Sequence, residues 1–365
     1  MAVVLGIDIG GSKIALGQVD REGRLVNVPL RATSDTRGEA EFLEGLLRAI
    51  EESLEAIRIL GEECIGIGVG CAGTVDTTRG TIVVSPNLPL VEVPLARIVH
   101  ERIGMPVILD NDANVATLAE ARVGAAADAH HMVMLTLGTG VGGGLLLGGE
   151  LYRGATGAAA ELGHTIVAAG GEQCRCGAYG CLEAYASGKA LERVAARLVQ
   201  AGGLLANRAG DAGARIGPRE PEPVAAAAMA SREAFSELLD LEPAHASVRV
   251  PVEGLVALSE KNALTGEAIG RLALGGDPAA LVAVAHVGAW LGVGVANLAN
   301  IFNPEVIVVG GGLSSLGDLL LVPARKVLAA AGLSPNRDVV RLVTASAGAD
   351  AGVIGAGLVA WEDLA

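Results

Sequence analysis

The sequence opens with Val3-Val4-Leu5-Gly6-Ile7-Asp8-Ile9-Gly10-Gly11-Ser12-Lys13, a short apolar run that ends in an acidic residue and two glycines. Apolar and polar residues alternate in Ile14–Val19, a turn follows at Asp20–Gly23, and Leu25–Ala32 continues the alternation. This pattern predicts three antiparallel strands joined by tight turns. The first glycine turn would therefore connect two paired strands.

Alternating helices and strands follow, and the opening pattern then returns. The predicted elements are helix Glu39–Leu60, strand Cys64–Gly70, helix Leu95–Ile103 and strand Pro106–Asp110, then strands His131–Leu137, Gly143–Leu147 and Gly163–Ala168, helices from Lys189 and from Pro278, strand Val306–Val309, helix Leu319–Ala331, strand Val339–Val343 and helix Gly352–Glu362. Two similar halves predict a duplicated α/β fold with a cleft between the halves.

The predicted domains follow from this repeat. The first covers residues 1–115, with the C-terminal helix at about 352–365 packing back onto it, and the second covers residues 116–351. Residues 202–253 are rich in Pro, Ala and Gly and interrupt the pattern. We interpret them as a structural insertion without a catalytic role, the alternative being a flexible lid.

Composition excludes several classes of protein. The chain has 365 residues, of which 51% are hydrophobic and 19% charged, which excludes general disorder. The net charge of −14 argues against nucleic acid or an anionic membrane as the main partner. Aromatic residues make up only 2%, so a bound sugar would be held mostly by hydrogen bonds.

The hydropathy and the first residues of the chain bear on two further possibilities, a membrane span and a signal peptide. The mean hydropathy is +0.48, and an uncharged run lies between Asp277 and Glu305. Asp277-Pro278 is a helix-start signal, and polar residues occur within the run, which favours a buried helix of a soluble protein over a transmembrane helix. Asp8 comes too early for a signal peptide, so we expect a cytoplasmic protein.

Three glycine-rich segments are candidate phosphate or nucleotide sites. Asp8–Lys13 offers backbone amides, the Ser12 hydroxyl, the Lys13 charge and a carboxylate able to hold hydrated Mg²⁺. Gly138–Gly144 occupies the equivalent turn of the second half, so the two turns together would form a phosphate clamp. Gly310-Gly311-Gly312 would admit a flat ring or ribose against the backbone. Taken alone, the first is equally typical of an ordinary hairpin and the third of a tight β–α turn.

The segment Asp110-Asn111-Asp112-Ala113-Asn114 ends a predicted strand and begins a predicted helix. Helix capping explains one of these polar residues but hardly four. A carboxylate at the carboxyl end of a strand can accept the proton of an attacking hydroxyl. Asp112 is therefore the candidate base.

The most specific segment runs from Glu161 to Glu183. His164 is followed by Cys174, Cys176 and Cys181, a donor set that matches a closed tetrahedral zinc site. Because a closed set leaves no position for water, the zinc would be structural and would fix the loop around Glu161, His164 and Glu183. The alternative is a chance grouping of buried thiols.

Together these segments resemble the ROK family of sugar kinases and sugar-responsive repressors, within the actin–hexokinase superfamily. The resemblance covers residues 1–189 and 277–364, and it implies two similar ribonuclease-H-like domains around a cleft. It implies a catalytic base at Asp112 and structural zinc on His164, Cys174, Cys176 and Cys181. It implies sugar ligands at Asn87, Asn111, Asp112, Glu161, His164 and Glu183, and ATP contacts at Asp8, Gly10, Gly11, Ser12, Lys13, Gly138, Thr139, Gly140, Gly310, Gly311 and Gly312.

The activity that follows from the resemblance is an ATP- and Mg²⁺-dependent hexose kinase acting on the 6-hydroxyl of glucose. Cys71–Asp76 lacks the usual proline, Ala160 replaces a glycine, and the loop after Asn87 lacks the usual Gly-Trp, differences that bear on the choice of hexose. The alternatives are a fructokinase, an N-acetylhexosamine kinase or a sugar-sensing regulator. Asp8 leaves no room before it for a helix-turn-helix, and the family implies a homodimer or homotetramer.

Overall fold

The structure is a computed structural model, and it describes residues 1–11, 13–27, 30–33, 38–85, 87–202, 204–205 and 248–364. Its strands, β1–β15 in chain order, are Ala2–Ile9, Lys13–Val19, Leu30–Thr33, Glu63–Cys71, Thr74–Asp76, Thr81–Ser85, Leu90–Val93, Val107–Asn111, Met132–Leu137, Val141–Leu147, Glu150–Leu151, Leu204–Leu205, Val248–Arg249, Val306–Gly310 and Arg341–Thr344. Its helices, α1–α11, are Glu39–Ile59, Leu95–Ile103, Asp112–Val123, Glu183–Ala186, Gly188–Gln200, Glu253–Glu260, Gly266–Leu274, Pro278–Phe302, Asp318–Ala331, Asn336–Val339 and Ala351–Leu364.

Two five-stranded sheets have the same connectivity. Their orders are β3-β2-β1-β4-β8 and β11-β10-β9-β14-β15. In each sheet the first strand is central, the second and third strands lie on one side of it, and the fourth and fifth lie on the other. In the first sheet β2 is antiparallel to β1, while β4 and β8 run parallel to it. The α/β class and the predicted repeat of strand–turn–strand are therefore confirmed.

Three predicted strands differ from the structure. The strand predicted over Leu25–Ala32 is confirmed from residue 30, where Leu30–Thr33 begins, but not at residues 25–27, where Leu25 forms an isolated bridge with Val19; residues 28 and 29 lie outside the described residues. Gly163–Ala168 is not a strand: it begins in a 3₁₀ turn, and Glu150–Leu151 takes the edge position instead. The strand predicted over Val339–Val343 begins at Arg341, after a short helix.

The described residues form two compact units. One comprises Met1–Met134, Gly143–Ala160 and Ala345–Ala365, and the other comprises Leu135–Gly142 and Glu161–Thr344. This grouping places all of α3 in the first unit, beyond the domain boundary that we placed at residue 115. Most of the insertion predicted at 202–253 lies outside the described residues, but its two ends pair as antiparallel β12 and β13.

The last helix, α11, packs against the first sheet and α3 within the first unit. Gly6 of β1 and Gly68 of β4 allow this approach: a Cβ at residue 6 would lie 2.1 Å from the Val353 carbonyl oxygen, and one at residue 68 would lie 1.8 Å from that of Ala356. Side chains at these two positions would push the helix off the sheet.

The long apolar helix α8 belongs to the core of the second unit. It is apolar and long enough to cross a membrane, with a mean hydropathy of 1.9 over its most apolar window, but 67% of that window is buried inside the protein. The Asp277 side chain caps its start by accepting the Ala280 N–H at 2.9 Å, and Asn303 ends it in the left-handed conformation. The helix packs against α5, α7 and α9, as expected for a core helix.

Candidate functional site

The turn between β8 and α3 presents Asp112 in the first unit. Asn111 caps α3, its Oδ1 accepting the Ala113 N–H at 2.8 Å, while its Nδ2 donates to the Gly73 carbonyl oxygen at 2.8 Å. Capping thus accounts for Asn111, as the sequence argument allowed for one residue of the four. Both polar ends of this amide are occupied by the chain itself, which limits what Asn111 offers to a ligand.

Asp110 organises the same turn from below. Its side chain is 1% exposed, and its oxygens accept from the Arg153 Nε at 2.7 Å, the Asn114 Nδ2 at 2.8 Å and the Asn111 N–H at 2.7 Å. Arg153 was missed by the sequence analysis, because nothing local marks a residue so far along the chain as a partner of Asp110. Because both of its carboxylate oxygens accept hydrogen bonds from the protein, Asp110 is a structural support rather than a base.

Asp112 differs from Asp110 in both exposure and charge environment. It keeps an exposed face, while desolvation by the surrounding protein and then the negative charge of Asp8 raise its pKa to about 6. The Ala113 N–H, which donates to its Oδ1 at 2.9 Å, offsets part of this effect. A reachable carboxylate with a pKa near the working pH is what general-base catalysis requires.

The first glycine turn lies between β1 and β2 and contacts Asn87. The Gly10 N–H donates to the Lys13 carbonyl oxygen at 2.9 Å and closes the turn. A Cβ at Gly11 would lie 2.7 Å from that of Asn87, so the first glycine turn and Asn87, an expected sugar ligand, pack directly together. Ser12 lies outside the described residues.

Asp8, at the end of β1, is packed against the start of α11. A Cβ at Gly352 would lie 2.5 Å from its Cγ, so glycine is required there if the carboxylate is to keep its place. Asp8 also contributes, after burial and Asp112, to raising the pKa of the Cys71 thiol to about 12. In the first unit the structure therefore brings Asp8, the first glycine turn, Asn87 and the Asp112 turn into one region.

In the second unit, the other predicted motifs meet at the turn between β9 and β10. The Gly138 N–H donates to the Gly140 carbonyl oxygen at 3.0 Å, and Thr139 is exposed at the tip. Gly163 lies directly beneath this turn, because a Cβ there would be 2.1 Å from the Val141 carbonyl oxygen. The Glu183 carboxylate accepts the Val141 N–H at 3.0 Å.

The triple glycine also reaches this turn. Gly311 has a φ of +79°, and a Cβ there would lie 2.5 to 2.7 Å from backbone atoms of Leu137. Its glycine is thus explained by backbone conformation and close packing, the simpler of the two interpretations made from sequence. Among the described residues, no atom lies within 4 Å of the position that a Cβ of residue 312 would take.

The predicted zinc ligands converge. One donor atom from each of His164, Cys174, Cys176 and Cys181 lies within 4.8 Å of the others. The Cys174 Sγ is 3.6 Å from the His164 Nδ1, and the Cys176 Sγ is 3.7 Å from the Cys181 Sγ. A tetrahedron with Zn–S bonds of about 2.3 Å and Zn–N bonds of about 2.0 Å separates its ligand atoms by roughly 3.5 to 3.8 Å. The cluster is therefore compatible with structural zinc.

Burial within the cluster disfavours thiolates that lack a positive partner. Burial raises the pKa of the Cys174 thiol to about 12 and raises that of Cys181, whereas the hydrogen bond from the Ala178 N–H lowers that of Cys176. Packing these sulfurs together as thiolates needs a compensating positive charge. The His164 ring turns Nδ1 to the sulfurs and leaves Nε2 4.0 Å from the Glu161 carboxylate, so its two nitrogens serve different sides.

The Cys-rich loop is held from outside by Glu172, which sequence reasoning also missed. The Glu172 N–H donates to the Tyr185 hydroxyl at 2.6 Å, and its carboxylate pairs with Arg197 of α5 at 2.7 Å. The Tyr185 ring in turn packs on Trp290 of α8, with centroids 4.3 Å apart. These contacts fix the loop to the core of the second unit.

Comparisons with known proteins place the chain. The model of the ROK family matches residues 4–362. The glucokinase of Streptomyces coelicolor is 34% identical, with 99% of this chain and 98% of the relative covered. A putative xylose repressor of Caldicellulosiruptor sp. is 31% identical over 90% of this chain and 70% of its own length.

A solved structure agrees over the whole chain. The ROK family glucokinase of Streptomyces griseus, in complex with glucose and AMPPNP, superposes with a TM-score of 0.70 at 32% identity, covering 100% of this chain and 99% of its own. The fold is therefore that of the actin/hexokinase sugar kinases, and the resemblance drawn from the glycine turns and the Cys-rich segment is confirmed: the chain belongs to the ROK family.

Proposed function

We propose that this chain is an ATP-dependent glucokinase that phosphorylates the 6-hydroxyl of glucose in the cytoplasm. The observation that carries the proposal is Asp112, a residue with an exposed face whose pKa is raised to about 6 by partial desolvation, on a turn braced by Asp110. Relatives named glucokinase that align along nearly the whole chain support the same reaction.

In the proposed mechanism Asp112 accepts the proton of the sugar's 6-hydroxyl as its oxygen attacks the γ-phosphorus of ATP. The new O–P bond forms as the bond from the γ-phosphorus to the β–γ bridging oxygen breaks, and ADP leaves with the bond's electron pair. Asp112 then releases its proton to solvent. Since its pKa lies near 6, the carboxyl is mostly ionised at neutral pH and ready to accept.

The phosphate and nucleotide contacts remain part of the proposal. We assign Gly10, Gly11, Ser12 and Lys13 to one phosphate motif, Gly138, Thr139 and Gly140 to the other, and Gly310, Gly311 and Gly312 to adenosine. The space that the described residues leave beside Gly312 supports the last assignment. Mg²⁺, which would neutralise developing charge on the phosphates, would be held through water by Asp8.

The sugar ligands are proposed as Asn87, Asn111, Asp112, Glu161, His164 and Glu183. Asn87 packs on the first glycine turn, and Glu161 and Glu183 flank the Cys-rich cluster. Because the Asn111 Oδ1 accepts two backbone N–H groups and one Nδ2 hydrogen binds the Gly73 carbonyl oxygen, we expect Asn111 to contribute through its other Nδ2 hydrogen. We propose zinc on His164, Cys174, Cys176 and Cys181 as structural, with no part in activating water.

Two other functions deserve a direct test. A fructokinase or N-acetylhexosamine kinase would use the same base on a different sugar, and the departures near Ala160 and Asn87 bear on that choice. A sugar-sensing regulator is favoured by the likeness to the putative xylose repressor. We propose a homodimer or homotetramer for the assembly.

The deciding experiment is a coupled assay of ADP release with ATP and glucose, mannose, fructose, N-acetylglucosamine, N-acetylmannosamine or xylose. We expect the highest kcat/KM with glucose. Xylose is the matched control, because it has the pyranose ring of glucose without the 6-hydroxymethyl group. If calorimetry shows sugar binding but the assay shows no turnover, the sugar-sensing regulator replaces the kinase as the proposed function. A higher kcat/KM for another hexose would make that hexose the proposed substrate.

A further inference from the structure

The Glu183 carboxylate is held by the second glycine turn at one oxygen and lies beside the Cys-rich cluster with the other. Oε2 accepts the Val141 N–H at 3.0 Å, and Oε1 lies 3.4 Å from the Cys174 Sγ. The side chain thus runs between the second glycine turn and the Cys-rich cluster, and the hydrogen bond from the Val141 N–H sets its orientation. A carboxylate hydrogen-bonded in this way has little freedom to rotate.

Gly140 is what allows this contact. A Cβ at residue 140 would lie 2.2 Å from the Glu183 Oε2 and 3.1 Å from its Cδ, closer than real Cβ atoms approach. The φ of Gly140 is not in the left-handed region, so backbone conformation does not demand glycine there. The Glu183 carboxylate demands glycine at this position, because it lies against the backbone of the turn.

A second contact joins the same two segments. The Gly188 N–H, at the start of α5, donates to the Gly138 carbonyl oxygen at 2.8 Å. The stretch from Glu183 to Gly188 is therefore fixed to the turn at both ends. A Cβ at residue 138 would meet no atom of the described part of the chain within 4 Å, which makes Gly138 the matched control for Gly140.

We infer that Gly140 is a positioning residue for the hexose: through the Val141 N–H, the second glycine turn fixes the Glu183 carboxylate in the orientation that binds a sugar hydroxyl. This inference rests on the proposed function, which makes Glu183 a sugar ligand. It predicts that the second glycine turn, which was expected to bind only the nucleotide, also has a measurable effect on the affinity for sugar.

The test compares Gly140→Ala with Gly138→Ala by calorimetric titration of glucose in the absence of nucleotide. Both variants add one methyl to the same turn, but only the first would displace Glu183. We expect Gly140→Ala to weaken glucose binding about 10-fold or more, the worth of one hydrogen bond to a charged group, and Gly138→Ala to change it less than about 2-fold. In a Glu183→Ala background, Gly140→Ala should cause no further loss.

A direct measurement covers the case in which Gly140→Ala fails to fold. Hydrogen exchange at the Val141 amide should speed up in Glu183→Ala and stay slow in Glu183→Gln, which keeps an acceptor. Equal glucose affinities of the two glycine variants, or unchanged exchange in Glu183→Ala, would overturn the inference while leaving the kinase proposal intact. A wild-type protein that binds no glucose would overturn both.

Discussion

The turn at Asp110–Asn114 and the segment Glu161–Glu183 both gather polar side chains, but they differ in what satisfies those side chains. At the turn, the chain supplies partners for Asp110 and Asn111 and leaves Asp112 with an exposed face. In the Cys-rich segment, three sulfurs and an imidazole face one another, and a cation is the partner that fits them. The carboxylate that we propose as the base is left reachable, whereas the side chains that we propose as zinc ligands face one another.

The largest effect is expected at the turn. Asp112→Ala should lower kcat by about 10²–10⁴-fold, the usual worth of a general base, while the affinity for glucose changes far less. Steady-state kinetics and calorimetry measure the two effects separately. Asp112→Asn serves as the isosteric control, because it keeps the shape and loses the base. If Asp112→Ala kept more than about half of kcat, Asp112 would be no base and the contrast between the two regions would fail.

The next effect concerns the Cys-rich segment. Cys176→Ser should release zinc, lower the thermal stability and weaken glucose binding by about 10–100-fold, with a smaller effect on ATP, because the metal fixes the loop that carries Glu161 and Glu183. Elemental analysis, thermal melting and calorimetry measure these changes. The matched control is Cys64→Ser, at a half-buried thiol outside the cluster, which should keep its zinc. A metal-free wild-type protein with full activity would contradict the zinc assignment.

The pH profile sharpens the contrast at Asp112. A base acts when deprotonated, and a pKa raised to about 6 means that activity is full above that value and lost as the pH falls through it. We expect kcat to fall about 10-fold per pH unit below 6. Asp8→Asn, which removes a charge that raises this pKa, should move the acid limb to lower pH whatever it does to the maximum rate. A limb near pH 4 in the wild type would indicate an unperturbed carboxyl.

The smallest effect is expected at the exposed tip of the second glycine turn. Thr139→Val removes a hydroxyl without changing shape and should raise the KM for ATP roughly 2- to 10-fold, the worth of one hydrogen bond, with little change in glucose affinity. Kinetics at varied ATP and saturating glucose measure it. Turnover supported better by polyphosphate than by ATP would contradict the adenosine assignment of Gly310–Gly312.

Periodicity predicted the elements with strong internal patterns. The helix Leu95–Ile103 has the predicted bounds, and the buried strands of both sheets lie where apolar runs placed them. Prediction failed where long-range chemistry decides the backbone. Gly163–Ala168 looked like a strand but carries His164 of the Cys-rich cluster. The three-stranded sheet at Thr74–Val93 was missed although Ile82–Val84 is apolar, because its strands are only 3, 5 and 4 residues long.

The site shows the same division. Their spacing in the sequence predicted that His164 and three cysteines form one cluster, and in the structure their donor atoms lie close together. By contrast, the partners Arg153 of Asp110 and Val141 of Glu183 are 43 and 42 residues distant along the chain. No local pattern encodes such pairs, because they arise only when the strands and helices have packed.

The close approach of α11 to Gly6 and Gly68 also bears on how the protein is made. The ribosome reaches this helix only after all of Glu161–Thr344 has been synthesised. The helix nevertheless packs on a sheet whose first strand is Ala2–Ile9. Nascent chains grow by about 5–20 residues per second, so the interval is on the order of ten seconds or more. During synthesis the face of the first sheet that α11 will cover stays exposed, and the rate of translation sets how long that face can aggregate.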